Sequence, residues 1–328
     1  MGRAGEDELI ARFFAPIAGP AALGLKDDTA LLSPPAGCDL VVTADAVVAS
    51  VHFLPDDPPD TIGRKALGVN LSDLAAKGAD PLGFLLTLAL PADWTEAWLG
   101  GFCDGLRATA AEHGCPLLGG DTVRTPGPLS ISVAALGSVP AGRMVRRTSA
   151  APGQVVCVTG TIGDAALGLA LLRPEQPRWA PALSAEQRAF LIDRYRNPQP
   201  RLALAAALRE GAAAAMDVSD GLAGDLAKIL RASGVGGALE LDRVPFSDAA
   251  RAAIAADPAL RDKAVAGGDD YEILFTLPVE NLAATMARAA EAGLAVTPVG
   301  TVRAGSDPLE VTSYGRPYRL AAASFQHF

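Results

Sequence analysis

Apolar positions recur every three or four residues through TIGRKALGVNLSDLAAKGADP, Thr61 to Pro81, and that period predicts a helix. Ile62, Ala66, Val69, Asn70 and Asp73 fall on one face of it, so the side that packs inward also carries an amide and an acid. Pro58-Pro59-Asp60 supplies a start, and Gly78 with Pro81 a stop. A buried carboxylate without a partner is costly, so a cationic group is expected near Asp73. The alternative is a surface acid bridged to Lys77 one turn on.

The same patterning divides the rest of the chain. Residues 6–15 predict a short helix, and Thr29–Leu32 and Leu40–Val48 predict strands separated by the turn-forming PPAG. After the long helix come a strand in GFLLTLAL, a helix over about 95–112, and strands in PLLGGDT and SISVAALGSV. This order predicts an α+β domain with a mainly antiparallel or mixed sheet. RRTSAAPGQ marks a junction near 148, giving domains 1–148 and 149–328. The second domain begins with the strand VVCVTG and a helix after Gly163, and two helices follow a Pro-containing insert at 174–182. The strand AAAAMDV leads into SDG and the helix LAGDLAKILRAS, followed by GALEL, the loop GGDD with strand YEILFTL, a helix over 279–292 and a strand near 296–302. No fixed-period repeat appears; one echo, NLSDLA against DVSDGLA, is too short to establish duplication.

Composition narrows the function. The 328 residues are 50% hydrophobic with a mean hydropathy of +0.25, enough for two domains with apolar cores. A net charge of −9, a pI near 4.9 and the lack of a basic run argue against a nucleic-acid surface. An acidic protein that handles phosphates needs cations, and Mg²⁺ held by carboxylates meets that need. Cys38, Cys103, Cys115 and Cys157 have no CxxC spacing, which suggests neither a disulfide framework nor a zinc site and fits a reducing cytoplasm. The N-terminal MGRAGEDELIARFF carries acids where a signal peptide has its apolar core, and Arg209 and Glu210 interrupt the apolar run at 202–215, so a soluble, unexported chain is expected.

Asp27, Asp28, Asp45, Asp73, Asp121, Asp217, Asp220, Asp269 and Asp270 each lie at an element junction beside glycines or apolar residues. Hard cations take oxygen ligands, and several such acids could hold several ions. Asp60, Asp93 and Asp248 read as caps or turn residues. Gly119-Gly120-Asp121-Thr122 allows close backbone approach to an anion, although the pattern is often a plain turn. No P-loop and no strand-GxGxxG-helix motif is present. Arg143, Arg146 and Arg147 form a tight basic cluster shaped to clamp phosphate or to lie in a solvated turn. His52, His113 and His327 make neither a triad nor a zinc site; His52 could contact substrate or be structural.

With these residues in view, the chain resembles the thiamine-monophosphate kinase family, of the superfamily that includes aminoimidazole ribonucleotide synthetase. KDDTALL, TADAVVASVHFLP, KALGVNLSDLAAKGADP, LLGGDT, GRMVRRTSAAPG, VTGTIGD, DVSDGLAGDL, GGDDYEILF and QHF carry the resemblance, in the family's order. It implies a two-domain synthetase-like (PurM-like) α+β fold. The N-terminal domain would bind ATP and Mg²⁺ and join its strands to a partner's in a homodimer barrel, and the C-terminal domain would be an α/β sandwich.

The implied reaction is ATP-dependent phosphorylation of thiamine monophosphate to thiamine diphosphate, with Mg²⁺ essential. By motif, Asp28, Thr43, Asp45, Asp73, Asp121, Asp217 and Asp220 look like metal ligands, with Asp73, Asp121 and Asp220 carrying catalysis. Gly120, Asp121, Arg147 and Ser219 look like nucleotide contacts, and His52, Asp269 and Phe325 like substrate contacts. Lys26, Ala44 and Asp269 depart from the glycine, hydroxyl residue and glutamate usual in the family. Another ATP-using enzyme of the superfamily, aminoimidazole ribonucleotide synthetase-like or hydrogenase-maturation-like, is the alternative.

Overall fold

The computed structural model describes residues 5–321. Met1–Leu74 with Ala79–Arg143 form one compact unit, and Ala75–Gly78 with Met144–Phe328 the other.

In the first unit, helix α1 (Glu6–Leu9) continues into a π-helical turn at Ile10–Phe14 and a 3-10 turn at Ala15–Ile17. Thr29–Leu32, expected as a strand, has no sheet partner among the described residues: Leu31 is exposed, and its N–H bonds back to the Ala21 carbonyl. A four-residue segment without a neighbouring strand has no ladder to join.

Strand β1 (Cys38–Val48) is followed by α2 (Pro59–Ala76), β2 (Asp80–Leu90), α3 (Glu96–Glu112), β3 (Leu117–Arg124) and β4 (Ser130–Pro140). The sheet order is β1-β4-β2-β3, with β4 antiparallel to both neighbours and β2 parallel to β3, so the sheet is mixed. Alternating Phe84, Leu86, Leu88 and Leu90 of β2 are buried, as are Ile131, Val133 and Ala135 of β4.

Two glycines set the approach of α2 to α3. A Cβ on Gly63 would lie 2.1 Å from the Phe102 carbonyl oxygen, and one on Gly105 would lie 1.8 Å from that of Asp60. The start of α3 is capped by Thr95, whose side chain accepts from the Trp98 N–H. Gly78, at φ 68°, turns the chain out of α2 in the left-handed region that glycine favours.

The second unit contains β5 (Val155–Thr159), α4 (Asp164–Leu172), α5 (Ala185–Arg196), α6 (Ala205–Gly211), β6 (Ala214–Asp217), α7 (Leu222–Ser233) and β7 (Gly236–Glu240). Then come α8 (Asp248–Ala256), α9 (Leu260–Ala266), β8 (Ile273–Leu277), α10 (Leu282–Glu291), β9 (Val296–Arg303), β10 (Glu310–Ser313) and β11 (Arg316–Pro317). The sheet order is β11-β10-β7-β9-β5-β8-β6.

Neighbouring side chains on β5, β8 and the edge strand β6 feed opposite faces. Val156, Val158, Met216 and Leu274 pack with Leu226 and Leu230 of α7, whereas Cys157, Ala215 and Phe275 pack with Leu208 of α6 and Ala289 of α10. A third cluster joins Leu167 and Leu171 of α4, Leu191 of α5 and Ala249, Ala250 and Ala253 of α8.

Helices α8 and α9 and strands β10 and β11 go beyond the elements legible in the sequence. The inward positions of α8 and α9 are largely alanines, which give weak hydrophobic contrast. The sequence echo has no structural counterpart: NLSDLA lies wholly within α2, whereas DVSDGLA runs from β6 through a loop into α7. Among the described residues no helix is long and apolar enough to cross a membrane.

Candidate functional site

The inward face of α2 presents its polar residues to β1. Asn70 is fully buried; its Oδ1 accepts the Asp45 N–H at 3.0 Å while its Nδ2 donates to the Ala66 carbonyl at 3.1 Å. One turn on, Asp73 is half-buried, and its Oδ2 accepts from the Thr43 hydroxyl at 2.5 Å. Asp45, exposed as a residue, has its carboxyl pushed up to about 6, by desolvation first and by the Asp73 charge second. Thr43, Asp45 and Asp73 are thus brought together. Lys77 Nζ, one turn beyond Asp73, donates to the Ala215 carbonyl at 2.7 Å.

A second group lines a cavity of about 570 Å³ in the same unit. Asp27, Asp28, Gly119, Gly120 and Asp121 lie on it, beside apolar side chains that include Phe14, Leu86, Trp94 and Leu117. Gly120 has a reason of its own to be glycine: a Cβ there would lie 1.8 Å from the Leu86 carbonyl oxygen of the neighbouring strand. The close approach expected for an anion is in this structure made by β2.

In the second unit, Asp217 ends β6 and is buried, and Ser219 and Asp220 form the loop before α7. That loop is fixed by Asp225, whose Oδ2 accepts the N–H groups of Ser219 at 3.1 Å and Asp220 at 2.9 Å. Lys228 Nζ bridges the Asp225 carboxylate, at 2.8 Å, and that of Asp220. Burial pushes the Asp225 carboxyl up, against the hydrogen bond and charge of Lys228.

Asp269 and Asp270, neighbours in sequence and alike as possible ligands, are set apart by the structure. Asp269 is half-buried, whereas Asp270 is buried and accepts the Gly163 N–H at 2.7 Å and the Ala165 N–H at 3.3 Å, at the start of α4. Its carboxyl is raised well above the ordinary range by desolvation, with the Gly163 hydrogen bond opposing. A carboxylate committed to a helix N-terminus is a cap, which accounts for Asp270 without a metal. Asp269 and Tyr271, on either side, have φ of 71° and 50°, a region that costs non-glycine residues on the order of 1 kcal/mol. Glu272 is fully buried and held by Arg194 at 2.9 Å, by Arg201 Nε at 2.7 Å and by the Thr159 hydroxyl at 2.6 Å.

The remaining expected residues are placed separately. His52 Nδ1 accepts the Val48 N–H at 3.1 Å, closing the turn after β1. Arg147 is exposed, and its carbonyl accepts from Ser233. The Arg146 carbonyl accepts the Ala215 N–H, so this part of the basic cluster lies along β6. Phe325 lies outside the described residues.

Among the described residues no three His, Cys, Asp or Glu side chains form a metal-binding group. The Thr43–Asp45–Asp73 set nevertheless fits a hard divalent cation: its donors are all oxygen, and one of two neighbouring carboxyls is destabilised in its charged form. Asp225, Lys228, Arg194, Arg201 and Glu272 stand outside the residues that the sequence points to. Only the three-residue spacing of Asp225 and Lys228 on α7 offers a signal.

Residues 26–139 match AIR synthase related protein, N-terminal domain, and residues 151–309 match its C-terminal domain. The thiamine-monophosphate kinase of Escherichia coli (strain K12) is 42% identical over 327 residues, covering 99% of this chain and 98% of that protein. The crystal structure of thiamine-monophosphate kinase from Stenotrophomonas maltophilia K279a has a TM-score of 0.82 at 40% identity, covering 96% of this chain and 98% of that one. AaThiL complexed with AMPPCP and TMP has a TM-score of 0.76 at 28% identity, covering 98% of this chain and 94% of that one. With two matched domains in order and this identity along its whole length, the chain belongs to the thiamine-monophosphate kinase family, on the AIR synthase related fold.

Proposed function

We propose that this chain phosphorylates thiamine monophosphate to thiamine diphosphate, with ATP as donor, by direct in-line transfer assisted by several Mg²⁺ ions. The observation that carries the reading is the cavity in the first unit, where an apolar wall of Phe14, Leu86, Trp94 and Leu117 adjoins Asp27, Asp28, Gly120 and Asp121. An apolar wall suits a base and acids suit metal-bound phosphates, so the pair fits a nucleoside triphosphate better than an uncharged ligand. The relative bound to AMPPCP, an ATP analogue, and TMP supports the same pair of substrates.

Asp28, Thr43, Asp45, Asp73, Asp121, Asp217 and Asp220 are the residues we assign to Mg²⁺. When bound, Mg²⁺ would supply charge neutralisation between phosphates and a fixed geometry for the γ-phosphoryl group. The chain's own part is to orient and to exclude. Asn70 and Thr43 lock Asp45 and Asp73 in place, and Asp225 holds the Ser219–Asp220 loop. An ionised phosphate acceptor needs no general base, which agrees with His52 serving a backbone N–H. Gly120, Arg147 and Ser219 remain our nucleotide contacts, and His52, Asp269 and Phe325 our substrate contacts.

We assign 1–148 to nucleotide binding and dimerisation and 149–328 to the second domain, and place the protein in the cytoplasm, where four cysteines without disulfides are at home. ATP consumption measured against a panel of phosphorylated vitamins and ribonucleotides tests the activity. Turnover with thiamine monophosphate and with no ribonucleotide is expected; the reverse selectivity would establish the synthetase-like alternative.

A further inference from the structure

The GGDD loop joins two stretches to which the proposed function gives separate jobs. The Asp269 N–H donates to the Ser219 carbonyl at 2.9 Å, the Tyr271 N–H to the Val218 carbonyl at 2.9 Å, and the Val218 N–H to the Glu272 carbonyl at 2.8 Å. Asp269 and Tyr271 both lie at positive φ, so the backbone reverses twice around Asp270. Such a path persists only where its surroundings over-determine it.

Three sets of contacts determine it. The Asp270 carboxylate reaches the N–H groups of Gly163 and Ala165 at the start of α4, a helix of 9 residues. Arg194 on α5 donates at 3.2 Å to the Asp270 carbonyl and at 2.9 Å to Glu272. Glu272 in turn is fixed by Arg201 and Thr159. A Cβ on Gly268 would lie 2.3 Å from the Ser219 carbonyl oxygen, so the loop also has no slack on its other side.

We propose that Asp270 is a positioning residue: with Arg194 it pins the loop to α4 and thereby aims Asp269 at the substrate. The inference rests on the proposed role of Asp269. Asp270 itself touches no substrate. It acts through the backbone, because an aspartate whose φ is fixed presents its short side chain in few directions. An asparagine at 270 keeps the shape but turns an N–H donor toward one of the two helix N–H groups, leaving that group unpaired and the loop free to rotate.

The test is a double-mutant cycle on KM in Asp269→Asn, Asp270→Asn and the double variant. Asp270→Asn is expected to raise the KM for thiamine monophosphate about tenfold while leaving that for ATP within about twofold, and to add nothing in the Asp269→Asn background. Two KM values rising together, or multiplying effects in the double variant, would overturn the proposal.

Hydrogen exchange at 267–272 reads the loop independently of turnover. Faster exchange there in Asp270→Asn supports the pin, and an unchanged rate overturns it. A wild-type protein inactive on thiamine monophosphate would refute the proposed function separately, leaving the exchange result to decide the pin. Should Asp270→Asn fail to fold, Arg194→Gln takes its place in both the KM and the exchange measurements, since Arg201 still pairs with Glu272. The same KM split with faster exchange would then support the pin, and an unchanged loop would overturn it.

Discussion

Asp73 joins the longest helix of the first unit to β1 through the Thr43 hydroxyl, next to a second carboxyl that is hard to ionise. Desolvation first and the Asp73 charge second raise the Asp45 carboxyl, and a cation bound between the two acids would offset both costs. Asp73→Asn keeps the size and the hydrogen bond while removing the charge. Turnover should fall at least about 100-fold, roughly 2.7 kcal/mol, with little change in Tm. A surface acid paired for stability would instead show a loss under about 1 kcal/mol in the melt and near-intact kinetics. Steady-state rates at saturating Mg²⁺, beside a thermal melt, separate the two. The inward place of Asp73 is legible from helical period alone; its hydroxyl partner is not, because Thr43 lies 30 residues earlier on a strand whose register the period cannot set.

Between elements, the close crossing of α2 and α3 rests on Gly63 and Gly105. Gly105→Ala places a methyl group against the Asp60 carbonyl, so the helices must separate. The expected cost is about 1–3 kcal/mol, read as a lower midpoint in denaturant with an unchanged slope. Wild-type stability in that variant would mean that the crossing is looser than these distances require.

At the other end of α3, His113 caps the helix and is held below the usual histidine range by burial, with Glu112 opposing. A histidine depressed by folding contributes stability that is fully present above its ordinary value of 6.5 and is lost as pH falls through the lowered folded value. The Tm advantage of wild type over His113→Gln should therefore shrink between about pH 7.5 and about pH 5. A difference independent of pH would contradict this.

For the molecule as a whole, the sheet of the first unit leaves β1 and β3 as edges and exposes Leu40, Val42, Leu85 and Val123. Open edges bearing apolar side chains invite pairing, and the proposed occupant is a second copy of this chain. Sedimentation at micromolar concentration should find a dimer, and Val42→Glu should weaken it; a wild-type monomer would refute the assignment. The sequence by itself determined the helical period of α2, the alternation of β2 and β4, the supply of oxygen donors, and the family through motifs kept in order. These are properties of neighbours along the chain, separated by a turn or a pleat, or of composition. The tertiary structure alone decided that Gly120 makes room for Leu86, that Asp270 caps α4, and that Glu272 meets arginines 71 and 78 residues away. Those pairings depend on strand order and helix placement, and no local pattern encodes which distant residues a fold will bring within a hydrogen bond.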